Sequence, residues 1–335
     1  GFRRQDFMGR PVVAIVNTWS ELSPCHIHLR ERAEAVKRGV WAAGGFPVEL
    51  PALSLGEVIV KPTTMMYRNM LAMETEELLR SHPVDGAVLL GGCDKTTPGL
   101  VMGALSMDVP AIYVPAGPMS NARWRGQKVG AGTHTRKFWD ELRAGGITAE
   151  DWVELESRMT RTIGTCNTMG TASTMTALAD AMGLTMPGAS SIPASDSGHA
   201  RMCQDAGERI VGMIYEDLRP TKIVTRASVS NALVALMALG GSTNAVVHLA
   251  ACRPARPFVS DGQRTHAGRK HRRRESVGRG RHPAARPARF RRCADRGPAR
   301  QSCARRCGHQ GVGGRSEARA PPRPRHRVPR PCRPD

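Results

Sequence analysis

The sequence predicts an α/β fold in which a parallel sheet is covered by helices on both faces. Three observations lead there. Short apolar, largely β-branched runs recur at 11–16, 46–50, 85–90 and 111–114, the signature of buried strands. Stretches with helical apolar spacing lie between them, giving βαβ order. The runs are apolar almost throughout instead of alternating, as strands covered on both faces are.

The first run, Pro11-Val-Val-Ala-Ile-Val16, leads through a loop at 17–25 into a helix over 26–43 that stops at Gly44-Gly45, a glycine stop signal. The strand at 46–50 is followed by a loop holding Glu57 and a helix over 63–80. The strand at 85–90 runs directly into Gly91-Gly92-Cys93-Asp94-Lys95, with a helix after Pro98 and the strand at 111–114 next. Further helices are predicted at 149–160, 171–182, 199–217 and 227–239. Ligands of open parallel sheets bind where loops leave the carboxyl ends of strands. The loops at 17–25, 53–57 and 91–97 are therefore the places to search.

The net charge of +20 on 335 residues, with a pI near 10.7, first points to nucleic acid. Its distribution argues otherwise. Residues 253–335 hold 24 Arg and 1 Lys against 5 acidic residues, which leaves 24 basic and 24 acidic residues in 1–252. All the excess charge lies in the last quarter. That segment lacks Leu, Ile, Met, Tyr, Trp and Asn and carries 11 of the 24 prolines. It has too little apolar surface to offset its conformational entropy and is expected to be disordered. Arg, Pro, Ala and Gly are the residues of GC-rich codons, so the bias is that of a GC-rich gene read out of frame. Two parts are expected: an α/β domain at 1–252 and a basic tail at 253–335 that is a frameshift product. The rival reading is a nucleic-acid-binding tail, although its Arg clusters have no interleaved aromatics.

Cysteines in 1–252 number five, Cys25, Cys93, Cys166, Cys203 and Cys252, an odd and widely spaced set that argues against a disulfide framework. No apolar run is long enough to cross a membrane and no signal peptide is present, so a cytoplasmic protein is expected. The chain begins at Gly1 without Met, and its true start is expected upstream.

Gly-Gly-Cys93-Asp94-Lys95-Thr-Thr-Pro98-Gly99 places a thiol, a carboxylate and an amine in succession after a buried strand. A thiolate is a soft ligand for iron or zinc, and a carboxylate a hard one for magnesium. The plainer reading is a buried Cys beside a surface Asp/Lys pair. Cys25 and Cys166 also stand in polar loops before helices, where a helix N-terminus favours the thiolate. Three such cysteines could hold an iron–sulfur cluster with one iron left open, or zinc. Their separations of 68 and 73 residues carry little weight, and each alone reads as a small buried hydrophobe. His26, His28, His134 and His248 lack ligand-like spacing and are expected either to support the site residues from behind or to be structural. Trp19 and Cys203 read as packing, and Ser242-Thr243-Asn244 as helix capping or substrate contact.

Asn17-Thr-Trp-Ser-Glu-Leu-Ser-Pro-Cys25-His, Gly91-Gly-Cys-Asp-Lys-Thr-Thr-Pro-Gly99 and Gly240-Gly-Ser-Thr-Asn-Ala245 resemble motifs of the dihydroxy-acid dehydratase / phosphogluconate dehydratase family. The resemblance runs from about residue 7 to 251, in order. Asn-Thr-Met-Gly-Thr-Ala-Ser-Thr-Met after Cys166, and Met66-Tyr-Arg-Asn-Met70, resemble the subgroup acting on arabinonate or xylonate. The resemblance implies a [2Fe–2S] cluster on Cys25, Cys93 and Cys166, and Mg²⁺ on Glu57, Asp94 and a carbamylated Lys95. It implies a hydro-lyase that removes water from a 2,3-dihydroxy acid to give a 2-keto acid. The substrate would be a small-molecule sugar acid, or a 2,3-dihydroxy-3-methyl acid of branched-chain amino-acid synthesis. Dimers or tetramers are implied as well.

Family members continue beyond 252 into a C-terminal β-barrel-like domain that this sequence lacks. That region supplies a further Mg²⁺ carboxylate and the serine base. No catalytic residue is identified here, because Ser260, Ser276, Ser302 and Ser316 sit in no recognisable motif. Loss of a positioned base costs on the order of 10²–10⁴-fold, so the chain as written is expected to be inactive and poorly folded, with apolar surface exposed.

Overall fold

A computed structural model describes residues 1–252, which fall within one compact unit. Expectations about the tail at 253–335, its disorder, its frameshift origin and its serines and Arg clusters, lie outside the described residues. The elements in chain order are α1 (Arg4–Phe7), β1 (Val12–Asn17), α2 (Leu29–Ala42), β2 (Phe46–Pro51), α3 (Arg68–Ser81), β3 (Gly86–Gly91), α4 (Thr96–Met107) and β4 (Ala111–Pro115). Then come a hairpin of β5 (Ala122–Trp124) and β6 (Gln127–Val129), and helices α5 (Thr133–Arg143), α6 (Ala149–Met159), α7 (Thr171–Ala181), α8 (Ser197–Tyr215), α9 (Pro220–Ile223), α10 (Arg226–Ala238) and α11 (Asn244–Ala251).

The four long strands form one parallel sheet in the order β2-β1-β3-β4. Alternate residues serve opposite faces. Val13, Ile15, Val88, Leu90, Ile112 and Val114 pack under α2 and α8. Ala14, Val16, Ala87, Leu89, Ala111 and Tyr113 pack under α3, α4, α7, α10 and α11. Both faces are covered, which is why the strands are apolar throughout. Each large aliphatic side chain buried this way contributes about 1.5–3 kcal/mol. α10 and α11 also present Leu233, Val234, Met237, Val246 and Val247 to solvent.

Three differences separate the structure from the sequence reading. The helix expected from residue 26 begins at Leu29, because Pro24–His28 forms a turn in which the His26 ring bonds Ser54 Oγ at 2.7 Å and Thr96 Oγ1 at 3.3 Å. No element is predicted between 115 and 148, yet β5, β6 and α5 lie there with a small core of Trp124, Phe138 and Leu155 shared with α6. The hairpin turns on Arg125 and Gly126, at φ +46° and +77°, a pair of left-handed residues that suits the twist of a tight hairpin. The helix predicted over 63–80 is split: a 3-10 turn, Thr64–Met66, precedes α3.

Candidate metal centre at the carboxyl ends of the strands

β1, β2 and β3 all deliver their following loops to one end of the sheet, as parallel order requires. β1 ends at Asn17, and the chain then folds through Trp19 to Cys25. The Trp19 indole N–H donates to Ile27 O at 3.0 Å, and Arg30 lies 4.3 Å over its ring, so Trp19 braces this loop. After β2, the loop brings the Glu57 backbone N–H to Cys93 Sγ at 3.4 Å. After β3 the chain turns at once into α4. Thr96 Oγ1 accepts from the Cys93 N–H at 2.7 Å and from the Gly92 N–H at 3.3 Å, closing the turn that carries Cys93, Asp94 and Lys95.

Cys166 arrives from much further along the chain. Residues 163–165 lie beside the extension of β4: Pro118 and Thr165 form a parallel bridge, and the Gly164 N–H reaches Pro24 O at 3.4 Å. The result brings Cys25, Cys93 and Cys166 together. Cys25 donates its thiol hydrogen to Cys93, and the charge of Cys166 acts on Cys25. That bond, with help from the Glu57 N–H, holds the Cys93 thiol below its ordinary range. Cys25 is pushed up by the same bond and by burial. Burial, followed by the charges of Asp94 and Cys93, pushes Cys166 up to about 11. At Cys25 the bond to Cys93 and then burial, and at Cys166 burial, work against the thiolate that a helix N-terminus favours. Cys93 alone is eased toward the thiolate.

The second group adjoins the first. Lys95 is buried, 4% exposed, and its ammonium lies 3.2 Å from Glu57 Oε2 and 3.4 Å from Asp94 Oδ2. The reading of Asp94 and Lys95 as a surface pair is thus corrected: the lysine is inside, and its stem is part of the packing. Here the ammonium supplies the positive charge between two carboxylates that a divalent cation supplies in an oxygen-ligand site. The Thr64 hydroxyl donates to Glu57 Oε2. Among the described residues no three His, Cys, Asp or Glu side chains form a group that would hold a single metal ion.

The histidines take structural places, as expected. His26 is buried and held neutral, its pKa pushed down to about 3 by burial and then by His28. His134 Nδ1 accepts from the Gly130 N–H at 2.9 Å. Cys203 is fully buried in the core. Ser242 joins α11 to α7, sharing a hydrogen bond with Thr171 Oγ1 at 2.9 Å and accepting the Asn244 N–H at 3.3 Å, while Thr243, the N-cap of α11, makes no side-chain capping bond. Four residues beside the site were given no role by sequence, although two of them, Thr96 and Arg68, stand within the motifs quoted above: Thr64, Thr96, Ser54 and Arg68. Arg68 is buried and donates to His248 Nδ1 at 3.0 Å. Burial, then Arg68 and Lys95, pulls His248 down to about 4. Only Thr96 had a readable signal, a hydroxyl three residues after Cys93 at a helix start.

Residues 10–258 match the family described as dihydroxy-acid/6-phosphogluconate dehydratase N-terminal. The chain is 69% identical over 251 residues to a 6-deoxy-6-sulfo-D-gluconate dehydratase of Pseudomonas putida, a match covering 75% of this chain and 43% of that protein. It is 52% identical to an L-arabinonate dehydratase of Rhizobium leguminosarum bv. trifolii, with 75% and 43% covered. A dihydroxy-acid dehydratase of Maridesulfovibrio salexigens is 37% identical, with 74% and 45% covered. The chain thus spans less than half the length of the curated relatives it matches. The motifs, the parallel sheet and these matches converge: the chain belongs to the dihydroxy-acid/6-phosphogluconate dehydratase family through that family's N-terminal domain.

Proposed function

We propose that this chain carries the cofactor-binding part of a sugar-acid dehydratase. In that reaction the C3–O bond breaks, hydroxide leaves with the bonding pair, and the C2 proton is removed. The enol so formed tautomerises to a 2-keto-3-deoxy acid, with one water released. The observation that carries the reading is the meeting, at one end of a parallel sheet, of three thiols from three distant segments with a carboxylate–lysine–carboxylate group.

The donor sets fit the two cofactors that the resemblance implies. Three thiols near enough to act on one another are the soft donor type that an iron–sulfur cluster takes. Glu57 and Asp94 are hard oxygen donors, and Lys95 would become one on carbamylation. When bound, the two groups would supply Lewis acidity at the leaving hydroxyl and positive charge beside the substrate carboxylate. The chain's own residues do the rest of the work. Burial of Lys95 keeps water from its amine, and the Glu57 N–H and Cys25 thiol direct hydrogen bonds onto Cys93.

A sugar acid is favoured over a branched-chain precursor because the sulfogluconate and arabinonate dehydratases are 50–69% identical, against 39% for a xylonate dehydratase and 35–37% for dihydroxy-acid dehydratases. Five free thiols among the described residues fit a reducing compartment, the cytoplasm. No helix among them is long and apolar enough to cross a membrane. A homo-oligomer, dimer or tetramer, belongs to the same reading.

The test is an anaerobic reconstitution of the full chain with iron and sulfide, read by visible absorbance and by iron and zinc content. Two irons per chain with cluster absorbance, both lost in Cys93→Ser, are expected. Zinc without absorbance, or iron uptake unchanged in Cys93→Ser, would sink the cofactor assignment. Because no serine base is identified in this chain, little or no 2-keto acid should be released from an aldonate, and release at a normal rate would overturn that expected inactivity.

A further inference from the structure

Two of the three thiol-bearing segments, those of Cys93 and Cys166, are joined through a short strip, residues 115–119, that continues β4, while the Cys25 segment meets the Cys166 segment directly through the Gly164 N–H and Pro24 O. The Ala116 N–H donates to Gly91 O at 2.9 Å, two residues before Cys93. On the other side, the Thr165 N–H donates to Gly117 O at 2.9 Å and the Met119 N–H to Thr165 O at 2.9 Å, immediately before Cys166. The spacing between Cys93 and Cys166 is therefore the width of this strip.

Two buried imidazoles hold the strip in place. His199, in the first turn of α8, bonds Pro115 O through Nε2 at 2.9 Å. His28, three residues after Cys25 and at the start of α2, bonds Ala116 O through Nε2 at 2.7 Å. A carbonyl only accepts, so both rings carry their proton on Nε2. Nδ1 of His199 faces Cys203 Sγ at 3.8 Å, and Nδ1 of His28 has no partner among the described residues. The rings meet edge to face, 6.0 Å apart. Gly117, at φ +78°, lies so close that a Cβ there would stand 2.7 Å from His199 Cδ2. Burial holds both rings in the neutral form that this geometry needs.

We propose that His28 and His199 are positioning residues of the thiol centre: by donating to consecutive carbonyls of the 115–119 strip, they set the spacing of Cys166 from Cys25 and Cys93. The pair also couples the centre to the folding of α2 and α8, since each ring belongs to the first residues of one of those helices. The purpose of this spacing rests on the cofactor reading above, but the positioning itself is a property of the metal-free chain.

The experiment uses the full chain, reduced and metal-free, with His28→Leu, His28→Gln, His199→Leu and His199→Gln. It measures amide hydrogen exchange at Thr165 and Met119 against strand β1, and iodoacetamide alkylation of Cys166. In the Leu variants, exchange at 165 and 119 and alkylation of Cys166 should rise roughly tenfold, the factor expected for one lost buried hydrogen bond, while β1 stays protected. Gln keeps an amide donor near the position of Nε2, and its variants should stay within about twofold of the parent. Leu variants that remain folded without loosening this strip overturn the proposal. If the Leu variants unfold altogether, the Gln variants decide: parent-like rates support a donor role, and equal loosening in Gln refutes it. If the parent chain takes up no iron while these rates behave as expected, the cofactor assignment fails and the positioning stands.

Discussion

The thiol centre and the carboxylate–lysine group share the turn Cys93-Asp94-Lys95, but they are built differently. The three thiols span 141 residues of sequence and meet through backbone hydrogen bonds, those of the 115–119 strip among them, and two imidazole donors. The oxygen group is made by one loop residue, Glu57, set against two consecutive residues, and it is held by side-chain ion pairs to a buried ammonium. The difference follows from the donors. A buried thiol is a weak hydrogen-bonding group and cannot organise its own surroundings, so the fold must set its distances. A carboxylate and an ammonium attract each other and settle their geometry locally. Disturbing the fold should therefore damage the thiol side first, and disturbing local charge should reach only the oxygen side.

Acid gives the largest effect. His199 is buried and neutral, with a pKa near 4 against an ordinary 6.5. Between those values the unfolded chain binds a proton that the folded chain refuses. Stability is then complete above about 6.5 and falls as the pH drops toward about 4, by up to about 1.4 kcal/mol per pH unit for this group. His248, also near 4, adds a similar slope from the oxygen side. Urea midpoints followed from neutral pH down to about 5 should decline steadily. His26 and His28, also held neutral by burial, add to it, so His199→Gln should remove only its own share of the slope and leave those of His26, His28 and His248. A flat profile in the parent chain would mean that these rings are not held neutral.

Gly92 offers a sharper cut. A Cβ there would stand 2.2 Å from Ala116 Cβ, so even alanine forces the Cys93 turn away from the strip. Gly92→Ala should cost about 2–3 kcal/mol, as overpacking of a tight site does, measurable as a lower urea midpoint. Cys166 alkylation should accelerate in the same variant. A variant of unchanged stability would show that the strip yields easily and that the thiol spacing is soft.

The sheet was legible in the sequence because its strands are buried on both faces, which leaves unbroken apolar runs such as Val12–Asn17 and Gly86–Gly91. The hairpin of β5 and β6 was not, since its three-residue strands carry Arg, Gln and Lys and its turn lacks the usual Asn-Gly pair. At the site, the motif around Cys93 stood out through residue types crowded after a strand. The union of Cys25 and Cys166 with it depended on resemblance, because the distances are fixed by parallel strand order and by backbone bonds that no side chain encodes. His28 and His199 were equally hidden: their acceptors are main-chain carbonyls, 88 and 84 residues away. Burial of Lys95 also escaped the sequence, which could not reveal that the stem would be enclosed while Glu57 stays partly open.

Thr64 isolates the oxygen side with the smallest change. Its buried hydroxyl donates to Glu57 Oε2, while the Glu57 backbone, not its carboxylate, holds Cys93. Thr64→Val removes one charge-assisted bond. Water can partly replace it, because the Glu57 side chain is 37% exposed, so the loss should be about 1 kcal/mol. The urea midpoint should fall slightly while the alkylation rate of Cys93 stays within about twofold, since no bond to sulfur has changed. A several-fold change at Cys93 would mean that the carboxylate carries the loop backbone with it. The two groups would then act as one mechanical unit, and the separation between a fold-built thiol centre and a locally built oxygen site would fail at Glu57.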